Sequence, residues 1–263
     1  MINPLSSSPP GDIPRRRLCL AADVEKYSRL DTRTQSAVQS ELVRMLDEAA
    51  GLTGLDRTSW TRQPQGDQEF AVLPEATPED VVLGPFVHHL AVRLGDRNAR
   101  PGAQRIRLRM AVDSGVVADA ALGHAGPAPV AVARYVNAPQ LRAVLATLTT
   151  ADLAVMVSDR LYQDVVRSGR RDLDPAQYVR AHVRVKEFGG YGWIRVPGHA
   201  LDDVGSAATE TPKTNPSPHT DAPSLAPLSQ HVHQGVAVGR DVVGGLSIGL
   251  SVPPPPASSG SGR

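Results

Sequence analysis

Hydrophobic and polar residues alternate in strand-like and helix-like patterns from about residue 15 to residue 197. The apolar run Leu18–Ala22, which ends at Asp23, is typical of a buried strand, and residues 34–52 follow with apolar side chains at helical spacing. Residues 69–73 form the next predicted strand, and Pro85 is expected to kink the helix after it. The pattern predicts that a strand followed by a helix begins the domain.

The plainest half-exposed strand is predicted just beyond residue 104. Its apolar residues are Ile106, Leu108, Met110 and Val112, and they alternate with Arg105, Arg107 and Arg109. We expect the arginines to lie on a solvated face, and Asp113-Ser114-Gly115 to turn the chain.

The remaining elements follow the same two periods. Residues 130–148 predict a second broken helix, residues 153–157 a strand, and Ser158 the cap of another helix. Residues 178–188 and 191–196, joined through Gly189-Gly190, are expected to close the domain as a hairpin. The fold class is therefore α/β in the broad sense (α+β).

Composition divides the chain into a folded part and a tail. We expect a disordered leader over residues 1–15, a domain over 16–198, a disordered linker over 199–229, a Gly/Val-rich β-prone motif over 230–252 and a disordered end over 253–263. No apolar stretch reaches the roughly 18 residues of a spanning helix, so no membrane insertion is predicted.

Charge and cysteine content exclude several classes of protein. The 28 Lys and Arg residues balance 27 Asp and Glu residues, which gives no general attraction to nucleic acid. The single cysteine, Cys19, excludes an internal disulfide framework and a cysteine-rich zinc site. We expect a cytoplasmic protein.

Two aspartates are the strongest candidates for chemistry. Asp23 ends the first predicted strand, and Asp67 lies just before the second. Two carboxylates at strand ends can bridge paired magnesium ions over the phosphates of a nucleotide. Either aspartate could equally be a turn former or a helix cap. The sequence contains no Gly-rich phosphate loop, Gly-x-Ser-x-Gly elbow or dinucleotide fingerprint.

Six segments follow one another along the chain: LCLAADVEKYS, QGDQEFAVLP, RMAVDSGVVADAALG, ARYVNAPQLRAVLA, VSDRLYQDV and VKEFGGYGWIRVPG. In this order they resemble motifs of the class III nucleotidyl cyclase catalytic domain. The high content of alanine and arginine resembles a divergent actinobacterial branch of that family. The resemblance implies a ferredoxin-like domain with a central, largely antiparallel sheet and helices packed on it.

The resemblance also implies roles for individual residues. Asp23 and Asp67 match the carboxylates that hold two Mg²⁺ or Mn²⁺ ions, and Asn137 matches the asparagine that orients the ribose. The residues that match the triphosphate loop are Val24, Glu25, Lys26, Tyr27 and Ser28.

Three positions depart from the pattern of the family. The arginine expected to stabilise the phosphate is Leu141, and Arg142 is one step on, so it could serve only if Pro139 shifts the helical register. The base-reading positions carry Gln63 and Val130, so the base is not predicted. Asn137 could also mark no more than a helix break.

The sequence therefore leaves three functions open. The first is a divergent cyclase-like signalling module that binds metal, with or without a nucleoside triphosphate, and has reduced catalysis. The second is an active cyclase that forms a cyclic nucleotide and pyrophosphate, and the third is a scaffold that binds neither. The resemblance implies a homodimer, or a heterodimer with a related protein, whose subunits complete each other's sites.

The tail carries a separate hypothesis. In residues 230–252 most apolar residues fall on even positions, so they would share one face of an extended strand. The run Gln-Gly-Val-x-Val-Gly resembles bacterial amyloid-signalling motifs, which recruit an effector protein by templated β-stacking. The alternatives are a linker with an accidental run or a strand that extends the domain's own sheet.

Overall fold

A computed structural model of the chain describes residues 13–121 and 123–209, without the side chain of residue 172. The strands are β1 (Arg15–Val24), β2 (Thr61–Gln65), β3 (Gln68–Val72), β4 (Leu108–Ala120), β5 (Gly123–Ala125), β6 (Leu153–Ser158), β7 (Val179–Val185) and β8 (Phe188–Arg195). The helices are α1 (Thr32–Leu52), α2 (Glu79–Val81), α3 (Val87–Asn98), α4 (Pro127–Val136), α5 (Pro139–Thr147), α6 (Asp159–Asp164) and α7 (Leu201–Thr209).

The strands form one mixed sheet in the order β2-β3-β1-β4-β6-β8-β7, and β5 pairs with the end of β4. Of the neighbouring pairs, β4 and β6 are parallel and the others are antiparallel. The predicted mixed, largely antiparallel sheet with helices packed on it is confirmed. Because β1 and β4 lie in the middle, residues at the end of β1 are surrounded by protein on both sides.

Helices cover both faces of this sheet. Helices α1, α3 and α6 pack on one face, against residues of β1 such as Leu18 and Leu20. Helices α4, α5 and α7 pack on the other, against Cys19 and Ala21. Coverage of both faces explains why β1 reads as a continuous apolar run rather than an alternating one.

Several predicted boundaries agree with the structure. Helix α1 begins two residues before the predicted start, because Asp31 caps it by accepting a hydrogen bond from the Thr34 amide at 2.9 Å. Ser158 caps α6 as expected. The predicted kink at Pro85 appears as a π-helical turn over Val82–Phe86 that leads directly into α3.

The predicted turn at Asp113-Ser114-Gly115 is wrong. Strand β4 runs through these residues to Ala120, and Arg15–Leu18 pair with Ser114–Val117 across the ladder. The polar residues stay in the strand because β1 extends alongside and takes up the backbone hydrogen bonds that a turn would have satisfied locally.

The hairpin at the end of the domain is confirmed, but its turn lies elsewhere. Residues Lys186 and Glu187 connect β7 to β8, and Gly189 and Gly190 lie inside β8. Lys186 adopts the left-handed conformation that this two-residue connection needs, with φ 55°. A Cβ at Gly190 would lie 3.3 Å from the Phe188 side chain and 3.4 Å from the Tyr135 hydroxyl, whereas Gly189 has open space around it.

Part of the expected disordered linker is helical. Residues 201–209 form α7, which buries Val204, Ala207 and Ala208 against the sheet face that carries α5. The leader up to residue 12, the rest of the linker, the motif over 230–252 and the chain end lie outside the described residues. Of the helices described, none is long and apolar enough to cross a membrane.

Candidate functional site

The two aspartates singled out in the sequence lie beside each other at one end of the sheet. Asp23 pairs with Gln68 of β3, and the Val24 amide donates to the Asp67 carbonyl oxygen at 3.0 Å. Asp67 lies in the β2–β3 turn, which Gly66 makes possible with φ 68°. The carboxylates interact electrostatically, since Asp67 raises the pKa of Asp23.

Asp23 already has a partner in the structure. Arg109, directly opposite in the β1–β4 ladder, donates from Nη2 to Asp23 Oδ2. Both residues are buried, with 6% of Asp23 and 8% of Arg109 exposed. The predicted solvated face is therefore wrong for Arg109, because α4 and α5 cover the side of the sheet on which it lies.

The charges around Asp23 nearly cancel. Burial raises the pKa of Asp23 above its ordinary value, Arg109 acts against this, Asp67 adds to it, and the charge of Arg142 lowers the pKa. The four side chains comprise two carboxylates and two guanidinium groups. A cation that binds here must compete with Arg109 for Asp23, which lowers its affinity relative to two free carboxylates.

The loop after β1 is held by a second arginine. Arg107 donates to Glu25 Oε2 at 2.8 Å and accepts a hydrogen bond from the Glu25 amide on its own carbonyl oxygen at 2.9 Å. Lys26 turns the loop with φ 58°, and Tyr27 accepts a hydrogen bond from Gln39 at 2.6 Å. Arg107 and Gln39 thus hold the loop, which continues to Ser28, in place.

The other two arginines of the alternating segment also make specific contacts. Arg107 donates to the carbonyl oxygens of residues 145, 148 and 151, and Arg105 donates to Asp152 at 2.8 Å. Together with Lys26 and Arg29 they line a cavity of about 290 Å³ beside the loop. The predicted solvated face holds for Arg105, which is exposed, and is wrong for Arg107, whose side chain is 12% exposed. The cavity offers positive charge where the resemblance places the triphosphate.

Asn137 and Arg142 come together at a break between helices. Ala138 is extended, with φ −60° and ψ 134°, so α4 ends before it and α5 begins at Pro139. Arg142 Nη2 then donates to Asn137 Oδ1 at 2.7 Å. The register shift that the sequence required is present, because residues five apart on an unbroken helix would not face each other.

The remaining positions in question lie in different surroundings. Leu141 is fully buried in the core under α5, so it has a packing role. Val130 on α4 is 48% exposed. Gln63, on the edge strand β2, rests its amide against Gly123 of β5. Neither Gln63 nor Val130 contacts Asp23.

Asp113 is a buried carboxylate that the sequence analysis assigned to a turn. It lies opposite Cys19 in the ladder and is 4% exposed. Burial raises its pKa, while hydrogen bonds from Ser158 and the Ser114 amide and the charge of Arg160 act against this. The same carboxylate and burial raise the pKa of Cys19 to about 12, so the thiol stays protonated.

An Asp113→Asn variant is expected to lose part of the pH dependence of stability. Because burial raises the folded-state pKa of Asp113 above its ordinary value, the wild type loses unfolding free energy as pH rises through that pKa. Urea unfolding between about pH 4 and pH 7 should give a flatter profile for the variant. Asp96→Asn, which removes an exposed carboxylate, is the control; identical wild-type and Asp113→Asn profiles would contradict the expectation.

The donors at the candidate site suit a hard cation, although they are few. Asp23 and Asp67 supply oxygen ligands of the kind that Mg²⁺ and Mn²⁺ prefer. No group of three or more His, Cys, Asp or Glu side chains that could hold a metal occurs in the part of the chain that the structure describes. Two carboxylates match the set that the resemblance implies, provided that Asp23 exchanges Arg109 for the ion.

The comparisons with known proteins concern the fold. No protein-family profile and no curated protein matches the sequence. The guanylyl cyclase Cya2 is similar in structure, with 12% identity, a TM-score of 0.50, and coverage of 71% of this chain and 93% of Cya2. An adenylate/guanylate cyclase/hydrolase from Silicibacter pomeroyi shows 20% identity, a TM-score of 0.51, and coverage of 70% and 98%. The expected cyclase fold is confirmed.

Proposed function

We propose, on the premise of this cyclase fold, that the chain is a divergent nucleotidyl cyclase-like signalling module that binds a divalent cation and a nucleoside triphosphate with reduced catalysis. The observation that carries the proposal is the arrangement around Asp23. Asp67 lies next to it, and Arg142, bonded to Asn137, is close enough for its charge to lower the pKa of Asp23.

Each group has a distinct role in the proposed complex. Asp23 and Asp67 would hold Mg²⁺ or Mn²⁺, which when bound neutralises phosphate charge and activates the ribose hydroxyl. Lys26 and Arg29, beside the loop of residues 24–28, provide positive charge for the phosphates. Asn137 fixes the guanidinium of Arg142 so that it can donate to a phosphate oxygen.

Two features support reduced catalysis. The buried Arg109 occupies Asp23, so metal binding must first break an ion pair. Gln63 and Val130 stand at the base-reading positions in place of the residues that the resemblance implies, so the base receives little selective recognition. Binding without efficient turnover suits a sensor that couples nucleotide binding to partners.

The bond between Asn137 and Arg142 favours a second function, an active cyclase. That bond joins Asn137 and Arg142, two residues that would not face each other on an unbroken helix. The full chain should be incubated separately with each nucleoside triphosphate and Mg²⁺ or Mn²⁺, and cyclic product and pyrophosphate should be measured. Turnover lost in Arg142→Gln would establish the active cyclase, and nucleotide binding without product would support the reduced module.

Metal binding is expected to depend on both aspartates. Two neighbouring carboxylates repel each other and gain from a shared cation, so Asp23→Ala and Asp67→Ala should each weaken Mn²⁺ binding by about tenfold or more. Titration calorimetry with the wild type and both variants measures this. Asp119→Ala, on an exposed part of β4, is the control, and equal affinity in all four proteins would reject the assigned metal site and favour a scaffold.

A homodimer is also expected, as the resemblance implies. In that arrangement Asp23 and Asp67 of one subunit would share a site with Asn137 and Arg142 of the other. Sedimentation velocity at several concentrations, with and without Mn²⁺ and nucleotide, should show a dimer that the ligands stabilise. A monomer under every condition would count heavily against catalysis by the chain alone and would leave only a heterodimer with a related protein.

A further inference from the structure

A second cavity lies on the opposite face of the sheet from Asp23. It measures about 400 Å³ and is lined by Gly84, Pro85, His88, His89, Arg171 and Arg195. Trp193, two residues before Arg195, packs against the apolar cluster on the face of α1, α3 and α6, whereas Asp23 alternates with Cys19 and Ala21 on the other face. Four of the six residues can donate hydrogen bonds from nitrogen, and none is acidic.

Arg195 of β8 is the most informative of these residues. Its guanidinium lies 5.9 Å from the centre of the Tyr178 ring, and its charge acts against the burial that raises the pKa of Tyr178. Its Nε is buried and lacks a hydrogen-bond partner. Among the described side chains, which leave out that of residue 172, no carboxylate forms a salt bridge with Arg195.

The cavity wall depends on a close backbone approach. The Arg171 carbonyl oxygen lies 3.0 Å from where a Cβ on Gly84 would be, so a side chain at residue 84 would push the turn at 170–172 away. Arg171 itself has φ 48° and ψ 48°, a conformation disfavoured for non-glycine residues, and its Nε donates to Asp80 at 3.0 Å. A π-helical turn and a disfavoured backbone conformation thus meet at one cavity.

Two neighbouring histidines border the cavity. His88 and His89 lie at the start of α3 with ring centroids 5.4 Å apart. Adjacent residues on a helix point in different directions, yet both side chains border this cavity. Each neutral imidazole carries one N–H donor.

We propose that this cavity binds a small phosphate-bearing anion. Arginine and imidazole donors from three separate segments, α3, the 170–172 turn and β8, surround one volume, and a tetrahedral phosphate accepts hydrogen bonds in several directions at once. Phosphate would also pair its negative charge with the guanidinium of Arg195. The volume exceeds that of a phosphate group, which leaves room for the organic part of a phosphate monoester.

The test uses the full chain with EDTA present, so that metal binding at Asp23 and Asp67 does not contribute. Inorganic phosphate and phenyl phosphate are titrated by calorimetry at constant ionic strength, and the imidazole signals of His88 and His89 are followed by NMR. We expect saturable binding, shifts of both imidazole signals and tighter binding of the monoester. Arg195→Gln and the exposed Arg171→Gln should each weaken binding by about tenfold.

Arg93→Gln is the matched control, because it removes one positive charge from the same helix, α3, outside the cavity. Its affinity should equal that of the wild type. Equal weakening in Arg93→Gln, absence of saturable binding, or heat without shifts of His88 and His89 would each overturn the proposal. If Arg195→Gln fails to fold, as judged by its unfolding curve, Arg171→Gln on the rim still decides it.

Discussion

An Arg109→Met variant is expected to lose about 3–5 kcal/mol of unfolding free energy, because it leaves the Asp23 carboxylate buried without its ion-pair partner. Arg109 donates directly to Asp23, and the side chains of the two are 10% and 9% exposed. Methionine keeps most of the length of the side chain, so the loss reflects the missing charge more than a cavity. Urea unfolding at neutral pH measures the difference.

The double variant Arg109→Met/Asp23→Leu is the control. Replacing a buried ion pair by apolar residues of similar volume is commonly neutral or stabilising, so stability should return to about the wild-type value, within about 1 kcal/mol. A double variant as unstable as Arg109→Met would show that packing around Arg109, not the charge of Asp23, causes the loss.

The single variant Arg109→Met also links stability to the proposed metal site. In Arg109→Met, Mn²⁺ no longer competes with a guanidinium for Asp23, so added Mn²⁺ should raise the unfolding midpoint more than it does in the wild type. The extra stabilisation should disappear in Arg109→Met/Asp67→Ala. A midpoint that does not respond to Mn²⁺ would contradict metal binding by these aspartates.

An Arg57→Met variant is expected to cost a similar 3–5 kcal/mol, for the same physical reason at a different place. Arg57 donates to both carboxylate oxygens of Glu69, at 2.8 and 3.2 Å, and to Asp47 at 2.6 Å. The side chain of Glu69 is 7% exposed, so it would remain buried without a partner, whereas Asp47 at 52% exposure would be solvated. Chemical unfolding measures the loss.

Two variants separate the contributions around Arg57. Arg57→Met/Glu69→Leu should recover most of the stability, because no buried charge remains. Asp47→Asn should cost no more than about 1 kcal/mol, as expected for an exposed ion pair. A large loss in Asp47→Asn together with a small one in Arg57→Met would reverse this assignment.

Local signals in the sequence were reliable where a local interaction decides the structure. The Ser158 cap and the kink at Pro85 depend on residues within one helical turn, and both were predicted; the structure shows the kink as a π-helical turn. The break between α4 and α5 was predicted for the same reason, since Pro139 cannot continue the helix before it. The order of six motifs was enough to predict the cyclase fold, which the structural comparisons confirm.

The errors concern residues whose environment is set by distant strands. Asp113-Ser114-Gly115 has the composition of a turn, but β1 pairs along it and keeps it extended. Gly189-Gly190 has the composition of a hairpin turn, yet the register of β7 and β8 places the turn at Lys186 and Glu187. In both cases ladder hydrogen bonds with another strand outweighed local turn propensity.

The sequence by itself determined the fold class, most of the helices and strands, and the positions of Asp23 and Asp67 next to strand ends. These features follow from periodicity and from motif order. The tertiary structure alone decided the partners of those residues. Only the β1–β4 register places Arg109 opposite Asp23, and only the helix break lets Arg142 reach Asn137. Coverage of both faces then removes water from these charges, so a predicted solvated arginine became the buried counter-ion of the candidate metal ligand.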